Sequence, residues 1–181
     1  MAYVEIPKLN IYMPVYHGTD EGVLQIAAGH LPGSSLPVGG ENTHSLISGH
    51  RGLPSAKLFT DIDKLKKGDL FFIHVFDEVL AYKVNQIKIV LPDDVETLEI
   101  EKGKDYVTLI TCTPYGVNSH RLLVRGERTV YKQSESKIED MIKKNNLKYI
   151  MLTAGVILAL IGMTVLVSVF LIKRRKRRKL K

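Results

Sequence analysis

Apolar and polar positions alternate most tellingly between residues 107 and 124, read Val-Thr-Leu-Ile-Thr-Cys-Thr-Pro-Tyr-Gly-Val-Asn-Ser-His-Arg-Leu-Leu-Val. β-Branched and aliphatic stretches at 107–111 and 122–124 flank Pro114, Gly116, Asn118 and Ser119, all turn formers, which predicts an antiparallel hairpin. Setting Cys112 opposite Arg121 pairs Ile110 with Leu123 and Thr111 with Leu122, so the aliphatic residues keep cross-strand partners. Upstream, residues 1–6 alternate as a strand, with Tyr3 and Glu5 on one face and Val4 and Ile6 on the other. Pro7, Pro14 and the turn His17-Gly18-Thr19-Asp20 break up the next short strand, and 23–28 predicts about two turns of helix. Residues 30–42, rich in Pro, Gly and Ser, predict a loop before a buried strand at 44–48 that ends in Gly49-His50-Arg51-Gly52. A short polar helix is predicted at 56–66, then a hairpin of 70–75 and 79–90 around Phe76-Asp77-Glu78. Residues 92–104 form a mixed, acidic connector, a specificity loop at most and a solvated link by default. Short strands at close spacing with few helices predict a mainly β domain over 1–132, a closed barrel or a sandwich.

Charge and hydropathy change the picture at the C-terminal end. The net charge of the 181 residues is +7, but residues 173–181 hold eight of the 26 basic residues and no acid, leaving 18 basic against 19 acidic, or −1. Basic residues confined to a terminal run, instead of forming a patch on the folded part, argue against a nucleic-acid partner. Residues 149–172 carry no charge, and as helix they would measure about 36 Å at roughly 1.5 Å per residue, against a bilayer core of about 30 Å. The expectation is therefore a stalk at 133–148, with a possible Ser136-x-x-Glu139 capping box, and a transmembrane helix at 149–172. A basic cytoplasmic tail at 173–181 then follows from the positive-inside rule, with residues 1–148 outside the cell.

The chain has a single cysteine, Cys112, so no disulfide can form within it. Buried free cysteine is usually an inert apolar side chain. At the mouth of a hairpin opposite Arg121, however, it meets a cation that favours the nucleophilic thiolate and can hold an oxyanion. His50, set between glycines at a strand end, is a second candidate, because backbone and ligand can approach closely there. His120, next to Arg121, reads as turn-stabilising. Neither a cofactor nor a metal is called for.

Three blocks carry a resemblance to the pilin-polymerising class C sortases. They are Ile6-Pro-Lys-Leu with Tyr16-His-Gly-Thr; Ser48-Gly-His-Arg-Gly-Leu-Pro through Leu58-Phe-Thr-Asp-Ile-Asp-Lys-Leu; and Thr-Cys-Thr-Pro-Tyr-Gly followed by His-Arg-Leu-Leu-Val-Arg-Gly within 111–126. The resemblance implies an eight-stranded β-barrel with His50, Cys112 and Arg121 as the catalytic residues. It also implies a transpeptidation in which Cys112 attacks the Thr carbonyl of a Leu-Pro-x-Thr-Gly sorting signal and a pilin lysine resolves the thioester. The partners implied are pilin subunits with C-terminal sorting signals, and the membrane through 149–172. Members of this class usually begin with a signal or membrane segment and a lid carrying Asp-Pro-aromatic; this sequence starts almost on its first strand and has no Asp-Pro, so truncation before Met1 is expected.

Three other readings compete. A wall-anchored substrate would carry Leu-Pro-x-Thr-Gly just before residue 149, and it does not; the nearest imitation is Leu36-Pro-Val-Gly-Gly, far upstream. A membrane-tethered barrel that only binds pilin tails would not need His50, Cys112 and Arg121 together. A housekeeping sortase that anchors proteins to the cell wall is disfavoured by the expected C-terminal anchor and by the class-type blocks.

Overall fold

A computed structural model describes residues 1–53, 57–94 and 96–130. Eight strands are defined: β1 (Ala2–Ile6), β2 (Ile11–His17), β3 (Ala28–His30), β4 (Thr43–Ser48), β5 (Leu70–Val75), β6 (Glu78–Val90), β7 (Asp105–Thr113) and β8 (His120–Arg128). They close into a barrel in the order β1-β2-β3-β4-β7-β8-β6-β5. Most neighbours are antiparallel, while β2 with β3 and β4 with β7 run parallel. Closure removes the open edges that would otherwise offer unpaired backbone groups to another chain.

Alternation along the strands divides two hydrophobic clusters. Ile47, Leu109, Leu122 and Val124 belong to the main core with Val4, Ile6, Phe59, Phe71 and Tyr82. Their sequence neighbours Leu46, Ile110 and Leu123 point to the opposite face and, with Val90, form a second, smaller cluster against which Leu31 and Leu98 pack. The barrel is thus filled inside and also carries an apolar strip on the outer face of β4, β7, β8 and β6.

Several local expectations are revised. The only α-helix among the described residues, α1 (Glu21–Leu24), is one turn, and residues 28–30 are already strand. Pro14 does not interrupt β2: it pairs with Tyr3 of β1, while β3 joins only at Val15–His17, so no ladder bond is asked of the missing N–H. In place of a polar helix the described part of 56–66 has turns and a 3-10 turn at Ile62–Lys64.

Among the described residues no helix is long and apolar enough to cross a bilayer. The helices among the described residues are turns of three or four residues, where a span needs about 20. The C-terminal transmembrane helix expected at 149–172, with the membrane partner and topology drawn from it, thus has no counterpart among the described residues, and 149–172 itself lies outside them. Residues 133–181, including the stalk and basic tail, lie outside the described residues.

Candidate active site

The β7–β8 hairpin sets the site. Its register runs Ile110 with Leu123, Thr111 with Leu122, Cys112 with Arg121 and Thr113 with His120. Cys112 and Arg121 therefore project from the same side of adjacent strands, and since Ile110 and Leu123 lie two residues from them, that side is the outer apolar strip. Cys112 is a free thiol, partly exposed.

His50 arrives from the other flank of β7. The parallel register of β4 ends with Ser48 beside Ile110, and continuing it two residues brings His50 alongside Cys112. Two bonds hold that continuation: the Gly49 N–H donates to the Ile110 carbonyl at 3.0 Å, and the Thr111 hydroxyl donates to the Gly49 carbonyl at 2.7 Å. The His50 carbonyl accepts from the Phe59 N–H at 3.1 Å. Gly49 is required, because a Cβ there would come within 2.6 Å of the buried Phe59 ring. His50, in the extension of β4, Cys112 on β7 and Arg121 on β8 thus stand in one row.

The electrostatic surroundings are mixed. Among the described residues His50 Nε2 is shielded from solvent and has no hydrogen-bond partner, and the carboxylate of Glu21 on α1 lies 3.6 Å away, too far for a hydrogen bond. Arg121 Nη1 donates to the Asn118 and His120 carbonyls, each at 3.1 Å, which fixes the guanidinium over the turn. His120 lies at the base of that turn with Nδ1 2.9 Å from the Ser119 hydroxyl. Arg51 pairs with Asp63 at 2.5 Å, reaches Thr113 Oγ1 at 3.3 Å and lies 5.9 Å from the centre of the Tyr115 ring. It ties the segment after His50 to the segment after Cys112.

A pocket of about 210 Å³ opens beside Arg121, lined by Leu31, Ser48, Val90, Leu91, Pro92, Asp94, Leu98, Ile110 and Leu123. Its outer wall is the segment read from sequence as a solvated connector by default. That segment is fastened down: His44 Nδ1 donates to the Glu99 carbonyl at 2.9 Å, Arg125 bonds Glu101 at 2.9 Å, and Tyr106 donates to Glu101 at 3.1 Å. On its other side the His44 ring lies 2.7 Å from the Thr108 hydroxyl. Burial pushes the His44 imidazolium pKa down, only partly opposed by the Glu99 carbonyl. Sequence reasoning missed Glu21, Arg51 and this wall. His44 was visible only as one of several histidines, and no local signal marked the others.

Residues 4–129 match the family model for the sortase domain. Sortase A of Streptococcus agalactiae serotype III is 29% identical over 149 residues, covering 81% of this chain and 60% of the relative. Among solved structures, sortase C1 of Streptococcus agalactiae superposes with a TM-score of 0.72 at 61% identity, covering 73% of this chain and 68% of the other. A sortase C of Streptococcus pneumoniae gives 0.71 at 60% identity, covering 72% and 68%. The chain thus combines a closed barrel with a cysteine, a histidine and an arginine in one row on its outer face. The chain belongs to the sortase family, and within it to the class C type. It spans about three fifths of the length of the curated relatives it matches.

Proposed function

We propose that this chain is a cysteine transpeptidase of pilus assembly. The observation that carries the reading is the row His50, Cys112, Arg121, set by the β4–β7 and β7–β8 registers. In the proposed reaction the Cys112 sulfur attacks the Thr carbonyl of a Leu-Pro-x-Thr-Gly sorting signal. The C–N bond to Gly breaks, and the Gly amine leaves with a proton from His50. A pilin lysine amine then gives up a proton to His50 and attacks the thioester, forming an amide and releasing the sulfur as thiolate, with the proton of His50 restored. Arg121 offers guanidinium N–H groups to the carbonyl oxygen as negative charge develops on it. The pocket beside Arg121 suits the Leu-Pro part of the signal, being lined mainly by aliphatic side chains. The Streptococcus pneumoniae sortase C has pilin substrate specificity, which supports pilins as the partners.

The test is intact-protein mass spectrometry during turnover of a sorting-signal peptide. The expected result is a mass increase equal to the acyl fragment, mapped to Cys112 and absent from Cys112→Ala. Cleavage that continues in Cys112→Ala would overturn the reading.

A further inference from the structure

A second concavity of about 400 Å³ lies on the outer face, bounded by Leu31, Pro32, Leu46, Leu98 and Ile100, with His44 at its floor and Glu99 at its rim. It is separate from the pocket beside Arg121, but Leu31 and Leu98 line both, so the two form consecutive compartments of one groove. We propose that this second compartment is a subsite for apolar side chains of the pilin chain immediately before the leucine of the sorting signal. The inference rests on the reaction proposed above.

Strand spacing decides which residues reach it. The compartment covers the rows Leu46 beside Thr108 and His44 beside Tyr106. Those rows are four and six residues along β7 from Cys112, or about 13 and 20 Å at roughly 3.3 Å per residue. If the Thr carbonyl is at Cys112, an extended signal places its leucine about 10 Å away and the two residues before it about 13 and 17 Å away. The direction is fixed because Leu-Pro fills the pocket between Arg121 and Leu98, and the chain upstream of it continues past Leu98.

Hydrogen bonds to β4 fasten the compartment on both sides. One wall extends the pairing of β4, through Leu31 N–H to the Leu46 carbonyl at 2.9 Å and Ser35 N–H to the His44 carbonyl at 3.1 Å. Ser34 Oγ accepts from the Leu46 N–H at 3.2 Å. The opposite wall is held by the bond from His44 to the Glu99 carbonyl. Ile100 is 56% exposed although it borders this space, so apolar surface is left that a substrate side chain can cover. The Glu99 carboxylate disfavours an acidic side chain at the same place.

The experiment uses the purified chain and three peptides with one common Leu-Pro-x-Thr-Gly core, preceded by two leucines, two glycines or two aspartates. The expected order of kcat/KM is leucine, glycine, aspartate, with at least about tenfold between the first two. The difference should reside in KM, because these side chains are remote from the reacting carbonyl. In Ile100→Asp the ratio of leucine to glycine peptides should fall towards one. Equal kcat/KM for all three peptides, with the core cleaved, overturns the subsite and leaves the reaction standing. Cleavage of none of them overturns the reaction and the subsite together.

Discussion

His44 on β4 and Glu99, in the segment between β6 and β7, are joined by a hydrogen bond of 2.9 Å from the imidazole Nδ1 to the Glu99 carbonyl. The other ring nitrogen lies 2.7 Å from the Thr108 hydroxyl, and the ring packs edge-on against Tyr106. A strand histidine therefore supports the wall of the candidate substrate groove.

Burial lowers the His44 pKa from its ordinary value of 6.5, with the Arg125 charge adding to the effect and the Glu99 carbonyl and Glu101 opposing it. The folded chain keeps this ring neutral at a pH where the unfolded chain takes up a proton, so stability is lost as pH falls through 6.5 and levels off below the folded value. His44→Asn retains a donor near Nδ1 and does not titrate. Melting temperatures at about pH 7.5 and pH 5 should therefore fall further in the wild type than in His44→Asn. Equal falls in the two proteins would show that His44 does not carry this part of the acid sensitivity.

Gly49 and Phe59 give a steric prediction. A methyl group on residue 49 would sit 2.6 Å from a ring that is wholly buried in the core. Relief must come from the β4 end that carries His50 or from the core. Gly49→Ala should cost about 1–3 kcal/mol in denaturant unfolding. It should also lower kcat beyond any loss of folded protein, because His50 moves relative to Cys112. Wild-type stability and kcat together would show that the contact does not position His50.

The thiol gives a chemical one. Cys112 is free and partly exposed on the outer face of the barrel, so iodoacetamide should label it under native conditions, with loss of activity in step, and a sorting-signal peptide should slow the labelling. A thiol sequestered in the core would react only as the domain opens. Labelling that requires denaturant would place Cys112 outside any accessible groove.

What could be read from sequence follows a physical division. The register of the β7–β8 hairpin was legible because turn formers at 114–119 and the aliphatic pairs Ile110 with Leu123 and Thr111 with Leu122 over-determine it. His50 was legible as a glycine-flanked histidine, but its place beside Cys112 depends on the parallel pairing of β4 with β7, which no local pattern encodes. Strand β3 was missed since Ala28-Gly29-His30 has no alternation; it is a strand because β2 and β4 pair with it. The groove wall was read as a connector since its apolar residues, Leu91, Leu98 and Ile100, have no regular period; His44 and Arg125 fasten it from distant strands. The membrane expectation rests on the length and lack of charge of 149–172 and on the basic run after it, all of which lie outside the described residues.

Arg121 allows the sharpest separation of roles. Its Nη1 is committed to the carbonyls of Asn118 and His120, at 3.1 Å each, so the planar group is held in one orientation on the face that carries Cys112. A lysine keeps the charge but replaces the fork with a single ammonium on a flexible stem, which cannot hold both carbonyls and reach a substrate oxygen as well. If Arg121 stabilises the oxyanion, Arg121→Lys should lower kcat by about 10²–10³ with little change in KM, as for loss of an oxyanion donor elsewhere. If it only orients the bound peptide, KM should rise and kcat hold. The melting temperature should move little, because Arg121 lies at the end of a strand on the outer face and outside the barrel core. Activity of Arg121→Lys within about twofold of wild type would show that charge at this position is enough, and the role given to the guanidinium geometry would then be wrong.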